Sequence, residues 1–306
     1  YVHSEENCAH NEESYAHNEE RHLYNKVGFK GDWQNLSYSG YYQHRITAFI
    51  FKKKQYTQRI HEHAWGLQTR CSILGDDDYF HSDGEYMLGG LYKAHMAYKH
   101  PRFDVSYERV RFKPSFLAQH CEYNISDRLD ILRPTTTTQI SGKLRMTNAA
   151  VTLIPCINVT QVQGHIYFQN PCKDSDVPNH YQHYYFMAQP EQDTKHFYVA
   201  TLGTDLRLKM GSSLHWDSEF IGTKVLGPSA TLFHVPALLI NSKLYYAYTT
   251  KGDNAALETG IDLHWKSSYK ADAYDPMIQQ FYLQDDFEVF HYPLVGMFLY
   301  FRSQRF

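Results

Sequence analysis

Histidine pairs and carboxylate runs are the residues of this chain whose types and spacing could do chemistry. His61-Glu62-His63 and His180 with His183 are the densest imidazole pairs. A zinc site needs two such pairs in one place, or a pair plus a carboxylate, and the helical pattern HExxH is absent. Two apart on a strand, His61 and His63 would share a face toward lumen or water, so both pairs read as polar wall or loop residues. A second motif repeats at a spacing of seven, Ala9-His10-Asn11-Glu12-Glu13 and Ala16-His17-Asn18-Glu19-Glu20. With Cys8 or His22 it could ligate a metal, but the segment has almost no apolar face to bury and reads as a solvated arm. No serine stands in a GxSxG context, no cysteine carries a local nucleophile signature, and Asp285-Asp286 and Asp76-Asp77-Asp78 read as loop charges. The expectation is a chain with no catalytic residues, no resident metal and no cofactor.

What remains is charge in rows. Leu257-Glu258-Thr259-Gly260-Ile261-Asp262-Leu263-His264-Trp265-Lys266 alternates with a period of two, so it predicts a strand with one apolar and one charged face. Leu202 to Met210 and Leu214 to Phe220 do the same and are joined by Gly211-Ser212 as a hairpin. That pairing would set cations of one strand beside anions of the next. Asp205, Arg207, Lys209, His215, Asp217, Glu219, Glu258, Asp262, His264 and Lys266 are therefore expected to face one lumen. Leu202, Leu206, Leu208, Leu214, Trp216, Leu257, Ile261, Leu263 and Trp265 are expected to face lipid, followed by a second row of Val295, Met297, Leu299 and Phe301.

The elements that must carry these rows are strands almost throughout. Trp65 to Ile73 sets Trp65, Leu67, Cys71 and Ile73 against Gln68 and Arg70 and ends in the turn Gly75-Asp76-Asp77-Asp78. A strand over Leu88–Tyr98 is followed by a turn at His100-Pro101 and a return over Phe103–Glu108. Ile140–Met146 and Val151–Val159 continue the pattern, and Pro155 suggests an edge or a bulge. No helix-period segment of useful length intervenes, so parallel βαβ architecture is disfavoured.

Composition bounds the class. In 306 residues there are 26 Tyr, 18 Phe and 19 His, and the net charge is −3, which gives no reason to expect nucleic acid. No window approaches eighteen uninterrupted apolar residues, which excludes helical membrane spans but not a barrel, whose lumen residues dilute the hydropathy. Five cysteines (Cys8, Cys71, Cys121, Cys156, Cys172), an odd count without a CxxC pair, argue against a zinc ribbon and a tidy disulfide framework; one or two bridges, such as Cys156 with Cys172, and five free thiols both stay open. Strands ending in Trp65, Tyr98, Trp216, Trp265 and Phe301 suggest interfacial aromatic girdles, so the pattern favours a membrane barrel over a soluble β protein.

A resemblance points the same way. Ala271-Asp272-Ala273-Tyr274-Asp275-Pro276, then Gln280-Phe281-Tyr282-Leu283-Gln284-Asp285 and Tyr292-Pro293-Leu294-Val295, resemble the C-terminal part of the Putative porin family of Bacteroidota. Phe112-Lys113-Pro114-Ser115-Phe116-Leu117-Ala118-Gln119 and Thr137-Thr138-Gln139-Ile140-Ser141-Gly142 are similar to its YKPSFLQQ and TTQLSG phrases. The chain departs from the family at Gly296, where an Asp is usual, and in its wealth of Cys and His. The resemblance implies an antiparallel up-and-down transmembrane β-barrel with passive passage of small solutes or a structural envelope role.

The expectation is thus all-β, with roughly 12–16 strands visible, a polar arm over 1–22, and a barrel over 23–306 that is incomplete at both ends. Its setting would be the cell outer membrane, its partners outer-membrane lipid and other envelope proteins, with no nucleic acid. Two alternatives stay open on the residues alone. One is a secreted soluble carbohydrate-binding module using exposed Tyr and Trp. The other is an accessory subunit of a larger outer-membrane assembly.

Overall fold

Period-two alternation, β-branched and aromatic enrichment, and short turns between runs leave the backbone one economical solution, neighbouring strands paired antiparallel. A computed structural model of the chain describes residues 18–51, 56–75, 77–114, 132–169, 188–249, 255–275 and 280–303. Its strands are, in order, β1 (Asn18–Trp33), β2 (Leu36–Phe51), β3 (Tyr56–Gly75), β4 (Asp78–Met87), β5 (Leu91–His100), β6 (Phe103–Phe112), β7 (Thr135–Leu144), β8 (Met146–Thr147), β9 (Val151–Gln163) and β10 (Ile166–Gln169). They continue with β11 (Gln189–Gln192), β12 (His196–Met210), β13 (Leu214–Leu226), β14 (Leu238–Thr249), β15 (Ala255–Lys266), β16 (Tyr269–Lys270), β17 (Ala273–Asp275), β18 (Gln280–Tyr282), β19 (Glu288–Val289) and β20 (Leu294–Ser303).

Thirteen of these form one up-and-down wall in the order β1-β2-β3-β4-β5-β6-β7-β9-β12-β13-β14-β15-β20, and β8 adds a short pairing to β9. Every pairing in it is antiparallel. The fold is the expected antiparallel barrel wall. Among the described residues its edges, β1 and β20, do not pair with each other. No described helix is long and apolar enough to cross a membrane. Strands of ten or more residues rise about 33 Å, enough to cross a bilayer's hydrocarbon at a barrel's tilt.

The two ends of the wall differ. At one end the connections are short, at 34–35, 76–77, 101–102, 145–150, 211–213 and 250–254. At the other, four of the six are long, at 113–134, 164–195, 227–237 and 267–293, and carry β10, β11 and β16–β19. An apolar cluster lies there among the described residues: Phe168 and Ala188 are buried, with Leu132, Ile166 and Tyr282 packed on them.

Several sequence expectations need correction. The strand placed over Leu88–Tyr98 starts at Leu91, because Gly89 and Gly90 adopt φ of 95° and 76° and make the β4–β5 turn. Asp78, read as a loop charge, is buried and opens β4. Pro155 lies neither on an edge strand nor in a bulge. β9 is interior, and its register with β12 runs unbroken through Thr204 and Pro155. On its other side Pro155 falls between the last β7 pair, Lys143 with Cys156, and the first β8 pair, Met146 with Leu153. The arm expected over 1–22 gives way to β1 at Asn18; residues 1–17, with Cys8, His10 and His17, lie outside the described residues, as do Cys121, Cys172, His180 and His183.

Candidate functional site: the polar face of the wall

Direct cross-strand partners share a face, so the register sorts every wall residue onto one of two faces. Asp205, Glu219, Asn241 and His264 stand in one cross-strand row, and Arg207, Asp217, Lys243 and Asp262 in the next. Lys209, His215, Tyr245 and Gly260 form a third. Glu258 and Lys266 fall on the same face, opposite Ala247 and Leu239. All ten charged or ionisable residues singled out in the sequence therefore lie on one face.

The other face holds the remaining candidates. Leu208, Trp216, Leu244, Ile261 and Met297 form one continuous row. Leu206 stands opposite Ser218, Leu214 opposite Tyr246, and Leu202 opposite Gly222. Leu257, Leu263 and Trp265 face the same way, Leu257 and Leu263 opposite Phe301 and Val295 and Trp265 opposite Ile240, with Leu299 opposite Thr259. Much of this face is bare: Met297 is 85% exposed and Leu299 72%. Polar groups that fall on it bond one another: Trp216 Nε1 donates to the Ser242 hydroxyl (2.8 Å), and hydroxyls pair at Ser218 and Ser242 (2.7 Å) and at Thr69 and Ser82 (2.8 Å).

Charge on the polar face is bound into a lattice. Asn241 Nδ2 donates to Glu219 (2.8 Å), and Asn241 Oδ1 lies 2.9 Å from His264 Nδ1. His264 Nε2 lies 3.4 Å from Asp262. Lys243 Nζ sits 4.6 Å from the Tyr245 ring centre and 4.3 Å from that of Phe298. These groups line an open hollow of about 540 Å³. The hairpin does not pair charges wholly as expected, because Asp205 faces Glu219, a like pair that Asn241 relieves on the Glu219 side. Asn241, Lys243 and Tyr245 were missed because β14 reads Leu-Leu-Ile-Asn-Ser-Lys-Leu-Tyr-Tyr, in which doubled apolar residues mask the alternation.

The first half of the wall repeats the arrangement. Arg45 pairs with Glu62, the Tyr41 hydroxyl donates to Glu85, Lys26 Nζ lies 3.7 Å above the Tyr41 ring, and Lys93 lies 3.5 Å from Glu108. His61 and His63, however, face away from Glu62. They share the apolar face with Trp65, where His44 stacks on His63 (4.6 Å) and the Tyr42 hydroxyl meets His63 Nδ1 (2.6 Å). Sequence parity with Trp65 and Leu67 carries that signal. Tyr42, Trp65, Tyr86 and Tyr92 form an aromatic row across four strands at the same level.

At the long-loop end the polar face is narrowed. Phe197 is fully buried, with Phe233 5.6 Å and His165 5.4 Å from its ring. His234 binds Asp272 (2.9 Å) and Gln192 binds Arg133 and Gly164, so separate loops hold one another. Burial pushes His165 below the ordinary imidazole value against the upward pull of Asp193 and Asp272. Burial raises the Asp193 carboxyl, but the Ser229 hydroxyl, the Lys195 N–H and charge, and His165 outweigh it and hold it low. Burial and a hydrogen bond to Glu191 push the Tyr167 phenol up to about 12.

The sequence model of the family described as "Putative porin" matches residues 2–306. The chain belongs to the Putative porin family. No curated protein matches the chain. Among solved structures, the copper transporter OprC is similar over 94% of this chain and 49% of its own, with a TM-score of 0.68 at 11% identity. The ferric enterobactin receptor PfeA of Pseudomonas aeruginosa covers 92% of this chain and 46% of its own (TM-score 0.61, 10% identity). The siderophore receptor PirA of Acinetobacter baumannii covers 92% and 48% (TM-score 0.58, 10% identity). The chain spans about half the length of these proteins. The porin family and these folds together make it a porin-like outer-membrane β-barrel chain.

Proposed function

We propose that the polar face lines a water-filled path across the outer membrane and that small hydrophilic solutes cross it passively, with no chemical step. The observation that carries this is a pair of adjacent rows. Arg207, Asp217, Lys243 and Asp262 alternate in sign on one face, and the row Leu208, Trp216, Leu244, Ile261 and Met297 is apolar on the other. A wall this thin has almost no core of its own, and bare rows of this kind are stable only where the outside is hydrocarbon. Leu202, Leu206, Leu257, Leu263, Trp265, Val295, Leu299 and Phe301 then face lipid, which is the partner of that surface. The long loops face outward and the short turns the periplasm, the usual asymmetry of such barrels.

Alternating charge implies weak ion preference, since each cation has an anion beside it. Reconstitution of the full chain in planar bilayers and in liposomes tests the reading. Steady conductance and sugar-driven swelling are expected. Folded, inserted protein that gives neither would show a closed wall with a structural role.

A further inference from the structure

We propose that His81, Asp83 and His95 form a binding site for a divalent transition-metal cation of the zinc or copper class on the polar face. His81 and Asp83 are two apart on β4 and so share that face, and Asp83 stands directly opposite His95 on β5. Asp83 Oδ1 lies 2.9 Å from His95 Nδ1 and 3.3 Å from His81 Nε2, and the three donor atoms all lie within 4.8 Å of one another. Metal bonds of about 2.0–2.2 Å to such nitrogens and oxygens hold tetrahedral ligands a little over 3 Å apart. Two of the three separations are already close to that, and small side-chain rotations bring in the third.

The composition fits the same class. Two imidazoles and one carboxylate suit zinc, copper and nickel and leave at least one coordination position open. Calcium and magnesium want oxygen shells and are disfavoured. All three side chains are half-buried, so they are partly ordered but reachable. They adjoin a hollow of about 470 Å³ that also contains Lys30, Arg70 and Lys99. Those cations would repel a metal if they pointed at it. Arg70 instead lies 3.8 Å over the Tyr79 ring, and Lys99 Nζ stands 5.9 Å from the same ring. Gln68, across from Asp83, is engaged with Ser39 (3.3 Å). Glu85, the next residue of β4 on this face, adds negative charge. Water or a small anion drawn by the lysines would complete the shell.

The site does not depend on solute passage, so binding and conductance can fail separately. The test is equilibrium dialysis of the full chain in detergent against Zn²⁺, with electron paramagnetic resonance of the Cu²⁺ form. Three variants are compared with wild type: His81→Gln with His95→Gln, Asp83→Asn alone, and His44→Gln with His61→Gln as a control on the other face. Heat-modifiable migration verifies that each is folded. The double variant at 81 and 95 should lose one bound equivalent and the nitrogen hyperfine pattern. Asp83→Asn, which keeps the shape, should weaken binding by about tenfold or more, and the control should match wild type. Wild type that binds no Zn²⁺ overturns the proposal. So does a folded double variant that binds as wild type does, or a control that loses the same equivalent.

Discussion

Asp262 and Gly296 face each other directly across β15 and β20, and the Asp262 carboxylate occupies the space above the glycine. A Cβ at position 296 would stand 2.6 Å from its Oδ1. The carboxylate also reaches His264, 3.4 Å away. Gly296 thus leaves room for the Asp262 side chain that any Cβ at this position would contest.

A second acid at position 296 should therefore hurt. Gly296→Asp sets two carboxylates opposite each other and is expected to cost up to about 1 kcal/mol at neutral pH. Gly296→Ala should cost less, because only the flexible end of Asp262 has to move. Unfolding midpoints of Gly296→Asp and of the isosteric, uncharged Gly296→Asn check it. The asparagine variant should cost less, and an equal penalty would point to sterics instead.

Met297 and Lys243 lie on opposite faces one strand apart, which gives a sharper contrast. Met297→Arg puts a charge on the bare apolar row and should destabilise by about 2–4 kcal/mol in a bilayer. Lys243→Met forfeits its contacts over Tyr245 and Phe298, about 0.5–1 kcal/mol, and its place between Asp217 and Asp262. Lys243→Met should also shift ion preference toward cations. The shift should be larger in 0.1 M than in 1 M salt, because the screening length falls from about 10 to about 3 Å. Urea titrations in lipid and reversal potentials measure the two effects; a reversed stability order would place the lumen on the wrong face.

Tyr41 lies across Gly66 so closely that a Cβ there would collide with its ring. Lys26 stands above the ring and Glu85 accepts from its hydroxyl. Gly66→Ala must displace the ring and should cost about 1–3 kcal/mol, whereas Tyr41→Phe keeps the ring seated and should cost about 1 kcal/mol. Thermal midpoints of the two single variants and the double settle whether they act as one unit, since coupled changes will not add.

The loop cluster should respond to mild acid. His165 is held below its ordinary value of 6.5, so the unfolded segment binds a proton that the folded one refuses. Its contribution is complete above 6.5 and falls away as pH drops through the lowered folded value, by at most about 1.4 kcal/mol per pH unit. Asp193, held low, keeps its own contribution until pH falls through the carboxylate range. Between pH 7 and pH 5 proteolysis over 227–237 should thus quicken, and hydrogen-exchange protection, taken relative to the intrinsic rate at each pH, should fall. His165→Phe should flatten that dependence, and persistence of the full response would assign it elsewhere.

Faces were legible in the sequence because side chains alternate with a period of two, so Asp262 and Ile261 part company whatever the strands around them do. The same arithmetic set His61 and His63 beside Trp65, even though their polarity invited the opposite reading. Neighbourhoods were not legible. β4, with Ser82-Asp83-Gly84 at its centre, is not among the strands the alternation predicts, and β14 hides behind its doubled leucines and tyrosines. Only pairing set Asp83 beside His95, through the register that the Gly89-Gly90 turn imposes, and only pairing put Lys243 between Asp217 and Asp262. The cluster of His165, Phe197 and Phe233 draws on two connections and the start of β12, far apart in sequence. Alternation is a property of one backbone and its stereochemistry, whereas a site needs the registers of several strands at once, and those are decided by turns and cross-strand packing.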